Sequence, residues 1–271
     1  MLNFLTSLYD RGIGHSQINK VRSALSVIYP DVTIGKHPLI SRFVRGVRNL
    51  RSGQVKYPLL WNAQDLINYL SSWKISSNDS IHDISRKLVA TLACVSAQRV
   101  HTLSLIDSRH IFFFDSGTYL YIFSDLKVQR DRPCFVITLP SQSETDSLNT
   151  VQLLKLYLNK THLIRRDPQL FLSCRTPYKP VTTDTLARWI RSVMNDAGID
   201  ISVFGAHSVR GASASFALQN NVSIDSILQC GDWSCLKTFS KHYNRVNKYL
   251  SSSELATTIV QHGDSTHPAT H

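Results

Sequence analysis

Apolar side chains recur at steps of three and four along residues 2–29: Leu5 and Leu8, then Ile18, Val21, Leu25 and Ile28. Such steps line one side of a helix, so the chain is expected to open with short helices, the second capped by Ser16. The run RSGQVKYPLL at 51–60 interrupts the period with Gly53 and Pro58 among polar residues. It reads as a hinge between domains, with the boundary near residue 57. Beyond it, Asn62 or a neighbour begins a helix through Leu70, and 81–97 sets Ile84, Leu88, Leu92 and Val95 on one face.

The pattern then turns β-like. Runs at 111–114, 119–123 and 135–139 are rich in aromatic and β-branched residues, and Asp115-Ser116-Gly117 separates the first two. A small antiparallel sheet is predicted. Helical spacing returns from about residue 147 with Val151, Leu154 and Leu158, then Leu186, Trp189, Ile190, Val193 and Met194 before a stop at Gly198. The chain stays helical beyond 207, and its period fades after Val260 into a C-terminal tail at 251–271. No internal repeat is present. The expected class is α+β, mainly α with a small antiparallel β-sheet.

Charge narrows the field. Thirty Lys and Arg against nineteen Asp and Glu give a formal net charge of +11 and a pI near 9.6, a balance that favours a polyanionic partner such as nucleic acid. The five cysteines form no C-x-x-C pair, and their odd number argues against a disulfide framework and for a reducing compartment. The opening MLNFLTSLYDRG lacks a basic leader region and a small-residue cleavage site, and no apolar stretch approaches membrane-spanning length. A soluble intracellular protein with no membrane partner is expected.

Three blocks carry chemistry. His207-Ser208-Val209-Arg210 places a histidine and an arginine one turn apart at a helix start, a pair suited to a phosphate. GDWSCLKTFSKHYNR follows at 231–245, and QRVHTLSLID lies upstream at 98–107. Singly, each has an ordinary explanation: Arg99 as a helix-end cation, Trp233 as core, Tyr243 as one of ten tyrosines. Together and in this order they resemble the tyrosine recombinase, or phage-integrase-like, family. QRVHTLSLID, Trp233 and T-F-S-K-H-Y are most similar to recombinases of DIRS-type retrotransposons.

That resemblance covers most of 57–250 and implies a recombinase catalytic domain there, preceded at 1–56 by the latter part of a helical core-binding domain that clamps the duplex. It implies six catalytic residues. Arg99 and Arg210 match the two arginines, His207 the histidine of H-x-x-R, Trp233 the position held by His or Trp, Tyr243 the nucleophile, and Lys127, between two predicted strands, the catalytic lysine. The chemistry asks for these types. A guanidinium fork binds two nonbridging phosphate oxygens at once as charge builds on them. A tyrosine with a pKa near 10 needs His207 or the arginines to take its proton or stabilise phenolate. A mobile lysine can protonate the departing 5′-oxygen, and an indole N–H can donate to a phosphate oxygen. Thr102 departs from the pattern, standing where many members carry an acid.

The implied reaction is DNA cleavage and rejoining through a covalent 3′-phosphotyrosyl intermediate, for site-specific recombination or integration of mobile-element DNA. The phosphotyrosine conserves the bond energy, so no nucleotide cofactor is called for, and the two arginines supply the charge stabilisation, so no metal is required. Double-stranded DNA is the expected partner, with a monomer in isolation and a homo-tetramer at synapsis, and the nucleus is the compartment the resemblance implies. On the predicted helix at 184–197, Arg188 and Arg191 lie off the apolar face and are candidates for DNA contact. So are Arg45 and Arg48, in a row with Arg42 and Arg51. Two rival readings stay open: a type IB topoisomerase-like nicking-closing activity, and a DNA-binding remnant without turnover.

Overall fold

The structure, a computed structural model, describes residues 1–30, 33–51, 61–123, 133–141, 147–233, 236 and 239. The chain divides into two compact units, Met1–Pro58 and Leu59–His271.

In the first unit, α1 (Leu2–Asp10), α2 (His15–Ile28) and α3 (Pro38–Leu50) bury Leu5, Ile18, Ile34, Ile40, Val44 and Val47 against one another. The predicted cap of α2 is displaced: Gly14 is the N-cap and Ser16 lies inside the first turn. Pro38 opens α3, where its missing N–H costs nothing. Arg42, Arg45 and Arg48 are exposed along α3. Arg51 is not part of that free row, because its guanidinium lies 3.7 Å over the Tyr9 ring and donates to the Tyr9 carbonyl, tying the end of α3 to α1.

The second unit is built around one helix. After α4 (Ala63–Ser72), capped by the Asn62 side chain accepting from the Gln64 N–H, comes α5 (Ile81–Ser96), capped by Ser80. Ile84, Leu88 and Leu92 are fully buried, as their spacing predicts, but Val95 is 39% exposed. The one-faced stripe fails because α4, α6 (Val100–Ser104), α7 (Thr150–Thr161), α8 (Thr183–Asp196), α9 (Ser208–Gln219) and the sheet all pack on α5. Polar positions are buried with the apolar ones, among them Ser85, Lys87, Thr91 and Ser96. Lys87 keeps a partner by donating to the Trp73 carbonyl at 2.5 Å, and burial holds its pKa below the usual lysine range.

The sheet is antiparallel in the order β1 (Ile111–Phe114), β2 (Gly117–Ile122), β3 (Phe135–Pro140). Gly117 belongs to β2 rather than to the turn before it. Its φ is +150°, and an added Cβ would lie 2.7 Å from the Leu139 carbonyl oxygen, so the close approach of β3 requires glycine there. Leu120 and Ile122 face the core, while Phe112, Phe114, Tyr119 and Tyr121 pack edge to face or stacked on the other side.

After α9 comes α10 (Ile224–Cys230). α8, α9 and α10 end in one kind of turn, in which two successive N–H groups reach back to the last helical carbonyls. In α8, Gly198 N–H bonds Asn195 and Ile199 N–H bonds Met194; in α10, Asp232 N–H bonds Gln229 and Trp233 N–H bonds Leu228. The fold is thus mainly helical with a small three-stranded antiparallel sheet. No helix among the described residues is long and apolar enough to cross a membrane.

Candidate active site

The site assembles where α5 ends. Ala97 takes a left-handed conformation (φ 49°) that turns the chain out of α5, and Arg99 becomes the N-cap of α6. This is a costly conformation for a residue with a Cβ, about 1–3 kcal/mol, and it leaves the Ala97 carbonyl facing α9. Arg210 takes that carbonyl, its Nη1 donating at 2.7 Å.

Arg210 is 1% exposed and heads the fully buried side chains by size. The Trp233 ring lies under it, with the guanidinium carbon 3.8 Å from the ring centroid. A cation over an indole face is stabilised by about 0.5–2 kcal/mol, more as water is excluded. Trp233 is itself 8% exposed and meets Phe239 edge to face at 5.2 Å. Phe239 belongs to the T-F-S-K-H-Y run that carries Tyr243.

Glycine is required at 231 for a local reason. An added Cβ would fall 1.8 Å from Cζ3 of Trp233, inside the ring's own space. Gly231→Ala is therefore expected to push the indole off Arg210 and to destabilise the fold by about 1–3 kcal/mol. Denaturant unfolding read by tryptophan fluorescence checks this, and an unaltered midpoint with unaltered emission would show that the ring is not held there.

Arg99 is half-buried, its Nη1 3.4 Å from Oδ2 of Asp232. Beside it Gln98, 3% exposed, donates from Nε2 to the Cys230 carbonyl at 2.5 Å. The 97–99 segment is thus bound to Arg210 on one side and to the 230–232 turn on the other. Desolvation pushes the Cys230 thiol up, and the charge of Arg210 pulls it partly back.

His207 and Arg210 share one turn of chain but not one environment. His207 is the exposed N-cap residue of α9, whereas Arg210, one turn on, is buried. The start of α9 is fixed by buried Ser208, whose hydroxyl accepts from the Trp61 indole at 2.9 Å. Lys127 and Tyr243 lie outside the described residues.

The candidate DNA-contacting arginines fall elsewhere. Arg188 and Arg191 are exposed on α8; Arg188 donates to Thr185 Oγ1, and Arg191 donates to the Ile201 carbonyl at 3.0 Å. Arg188 also lines an open cleft of about 560 Å³ with His82, Arg175, Thr182 and Trp189, a cleft to which Arg99, His207, Arg210 and Trp233 contribute nothing. Arg45 and Arg48 are exposed in the first unit. No group of three or more His, Cys, Asp or Glu among the described residues is placed to hold a metal ion.

Sequence reasoning missed Trp61, Ala97, Gln98, Gly231 and Asp232. Gln98, Gly231 and Asp232 lie inside the blocks QRVHTLSLID and GDWSCLKTFSKHYNR, and that placement was their signal. Nothing in the order of residues says that Gln98 and Arg99 meet Cys230 and Asp232.

Residues 62–249 match the family described as the phage integrase family. No curated protein shows significant similarity to the chain. Among solved structures, XerH site-specific recombinase in a post-cleavage complex with a palindromic difH substrate is similar over 93% of this chain and 71% of its own, at 15% identity and TM-score 0.65. Lambda integrase, as a dimer on a COC′ core site, is similar over 89% of this chain and 63% of its own, at 17% identity and TM-score 0.55. In the pre-cleavage XerH–difH complex the chain spans 52% of the recombinase, with 72% of this chain covered, 16% identity and TM-score 0.54. At these identities the structural likeness is one of fold, and the family match over 62–249 carries the assignment: the chain belongs to the phage integrase family, the tyrosine recombinases.

Proposed function

We propose that this chain cuts and rejoins double-stranded DNA through a transient 3′-phosphotyrosyl bond to Tyr243, in site-specific recombination or integration of mobile-element DNA. The observation that carries the reading is the pairing of Arg210 with Trp233 and the Ala97 carbonyl beside the Arg99 segment. A guanidinium stays charged at neutral pH and can direct N–H donors at an anion, here the phosphate whose oxygens gain charge during attack. Tyr243 attacks phosphorus, and the 5′-oxygen leaves with a proton from Lys127. His207 accepts the proton of the phenol, and the arginines stabilise its phenolate character. Rejoining reverses these steps, and the bond energy stays in the phosphotyrosine throughout, so no nucleotide cofactor is consumed.

The finer reading rests on QRVHTLSLID, Trp233 and T-F-S-K-H-Y. These support a recombinase of DIRS-type retrotransposon kind, acting in the nucleus and assembling as a tetramer from monomers at synapsis. In this reading 1–56 is the latter part of a core-binding domain and 57–250 the catalytic domain. The exposed Arg45, Arg48, Arg188 and Arg191 serve the duplex backbone, in keeping with the net charge of +11.

The test is incubation with a nicked suicide duplex, whose cleaved fragment diffuses away and traps the intermediate. A protein–DNA adduct that survives denaturation is expected. Relaxation of supercoiled DNA at high dilution, without synapsis, would reassign the chain to topoisomerase-like nicking and closing. DNA binding without any adduct would make it a remnant.

A further inference from the structure

The turns that end α8, α9 and α10 each hold one residue in the left-handed region: Gly198 at φ 79°, Asn221 at 63° and Asp232 at 53°. Glycine adopts this conformation without steric cost, and asparagine and aspartate tolerate it less well. The α10 turn would be better served by glycine. What aspartate adds is a carboxylate, and the fold directs it at Arg99, 133 residues away in the chain. The contact is sheltered, with the Asp232 side chain 15% exposed. The neighbouring hydrogen bond from Gln98 to the Cys230 carbonyl clamps the same two segments together. Thr102, one turn beyond Arg99, supplies no charge.

We propose that Asp232 is a positioning residue for Arg99: its carboxylate holds the guanidinium in place before DNA arrives and leaves the remaining N–H donors free for the scissile phosphate. This rests on the recombinase reading above. A guanidinium carries five N–H donors, and Asp232 engages Nη1 alone, so the fork is anchored without being consumed. An arginine side chain left free samples many rotamers and must be ordered as the phosphate binds. One already anchored meets the developing charge without rearrangement.

The decisive variant is Asp232→Gly, with Asp232→Asn beside it, in the full chain on the nicked suicide duplex. Glycine keeps the turn and removes the carboxylate, so the unfolding midpoint should equal or exceed that of the wild type. DNA affinity should stay within about twofold, while adduct formation in a single turnover at saturating DNA should slow about tenfold. Asp232→Asn, which keeps the shape and an acceptor oxygen, should fall between. In an Arg99→Ala background, Asp232→Gly should slow the reaction no further, because the two residues act as one unit. In ¹⁵N-resolved spectra of the arginine side chains, the Arg99 guanidinium signal, assigned by its loss in Arg99→Lys, should shift in Asp232→Gly. Wild-type rates in Asp232→Gly, tighter DNA binding with faster cleavage, or equal slowing in the Arg99→Ala background would each overturn the proposal. If the wild type forms no adduct, the recombinase reading fails by itself; the guanidinium spectrum then decides alone, and an unchanged Arg99 signal overturns the role of Asp232.

Discussion

Tyr243→Phe is expected to abolish the covalent adduct on a nicked suicide duplex while leaving DNA binding within about twofold of the wild type. The change removes one oxygen, and that oxygen is the atom that would bond to phosphorus. Nothing else in the proposed reaction can replace it. Attack by water would give a nicked product with no protein attached, a serine would leave a phosphoester adduct of its own, and desolvation raises the pKa of the Cys230 thiol. Binding should survive because phosphate contacts by many cations, not one phenol, set affinity for a duplex. Phe239, buried against Trp233, is untouched by the change. The measurement is a denaturing gel of labelled DNA: an adduct band that persists in Tyr243→Phe would move the nucleophile to another residue.

Arg210→Ala carries the second large effect, and it should appear twice. Loss of a preorganised donor to developing phosphate charge should slow cleavage about 10²–10³-fold, or roughly 2.7–4 kcal/mol of transition-state stabilisation. The same change leaves the Ala97 carbonyl without its 2.7 Å donor and uncovers the Trp233 face. An orphaned carbonyl costs about 1–3 kcal/mol, partly offset because a charge no longer has to be buried. Against a typical folding stability of about 5–15 kcal/mol, the protein should stay folded, so the rate loss reports chemistry. Arg210→Lys separates charge from geometry. A lysine keeps the charge but not the planar fork that can bind the Ala97 carbonyl, stack on Trp233 and still present an N–H to phosphate. It should restore the unfolding midpoint in part and the single-turnover cleavage rate hardly at all. Cleavage near the wild-type rate in Arg210→Lys would show that a point charge suffices.

Much of the fold could be read from local order, and the exceptions share a cause. Asn62 caps α4 because a side-chain oxygen and a backbone N–H two residues on are neighbours in any helix start. Gly198 ends α8 because a left-handed residue is needed there whatever surrounds it. Ser16 failed as a cap because Gly14 already had the extended conformation a cap requires. Val95 failed as a core residue because α5 is enclosed on nearly all sides, which makes a one-faced pattern a poor guide to burial in a central helix.

For the candidate site, the sequence supplied the inventory and the family's order of motifs but not the arrangement. The spacing of His207 and Arg210 is a property of the chain; that one is exposed and the other buried is decided by what packs on α9. Aspartate at 232 looks like a turn residue until the fold carries Arg99 to it.

The sequence by itself therefore determined the helices other than α3 and α6, the β-rich segments, the positive charge and the family, because these depend on residue type and on neighbours within a few positions. Only the tertiary structure decided that Ala97, Arg99, Arg210, Asp232 and Trp233 meet. Contacts across more than a hundred residues are set by how helices pack around α5, and no local period encodes that packing.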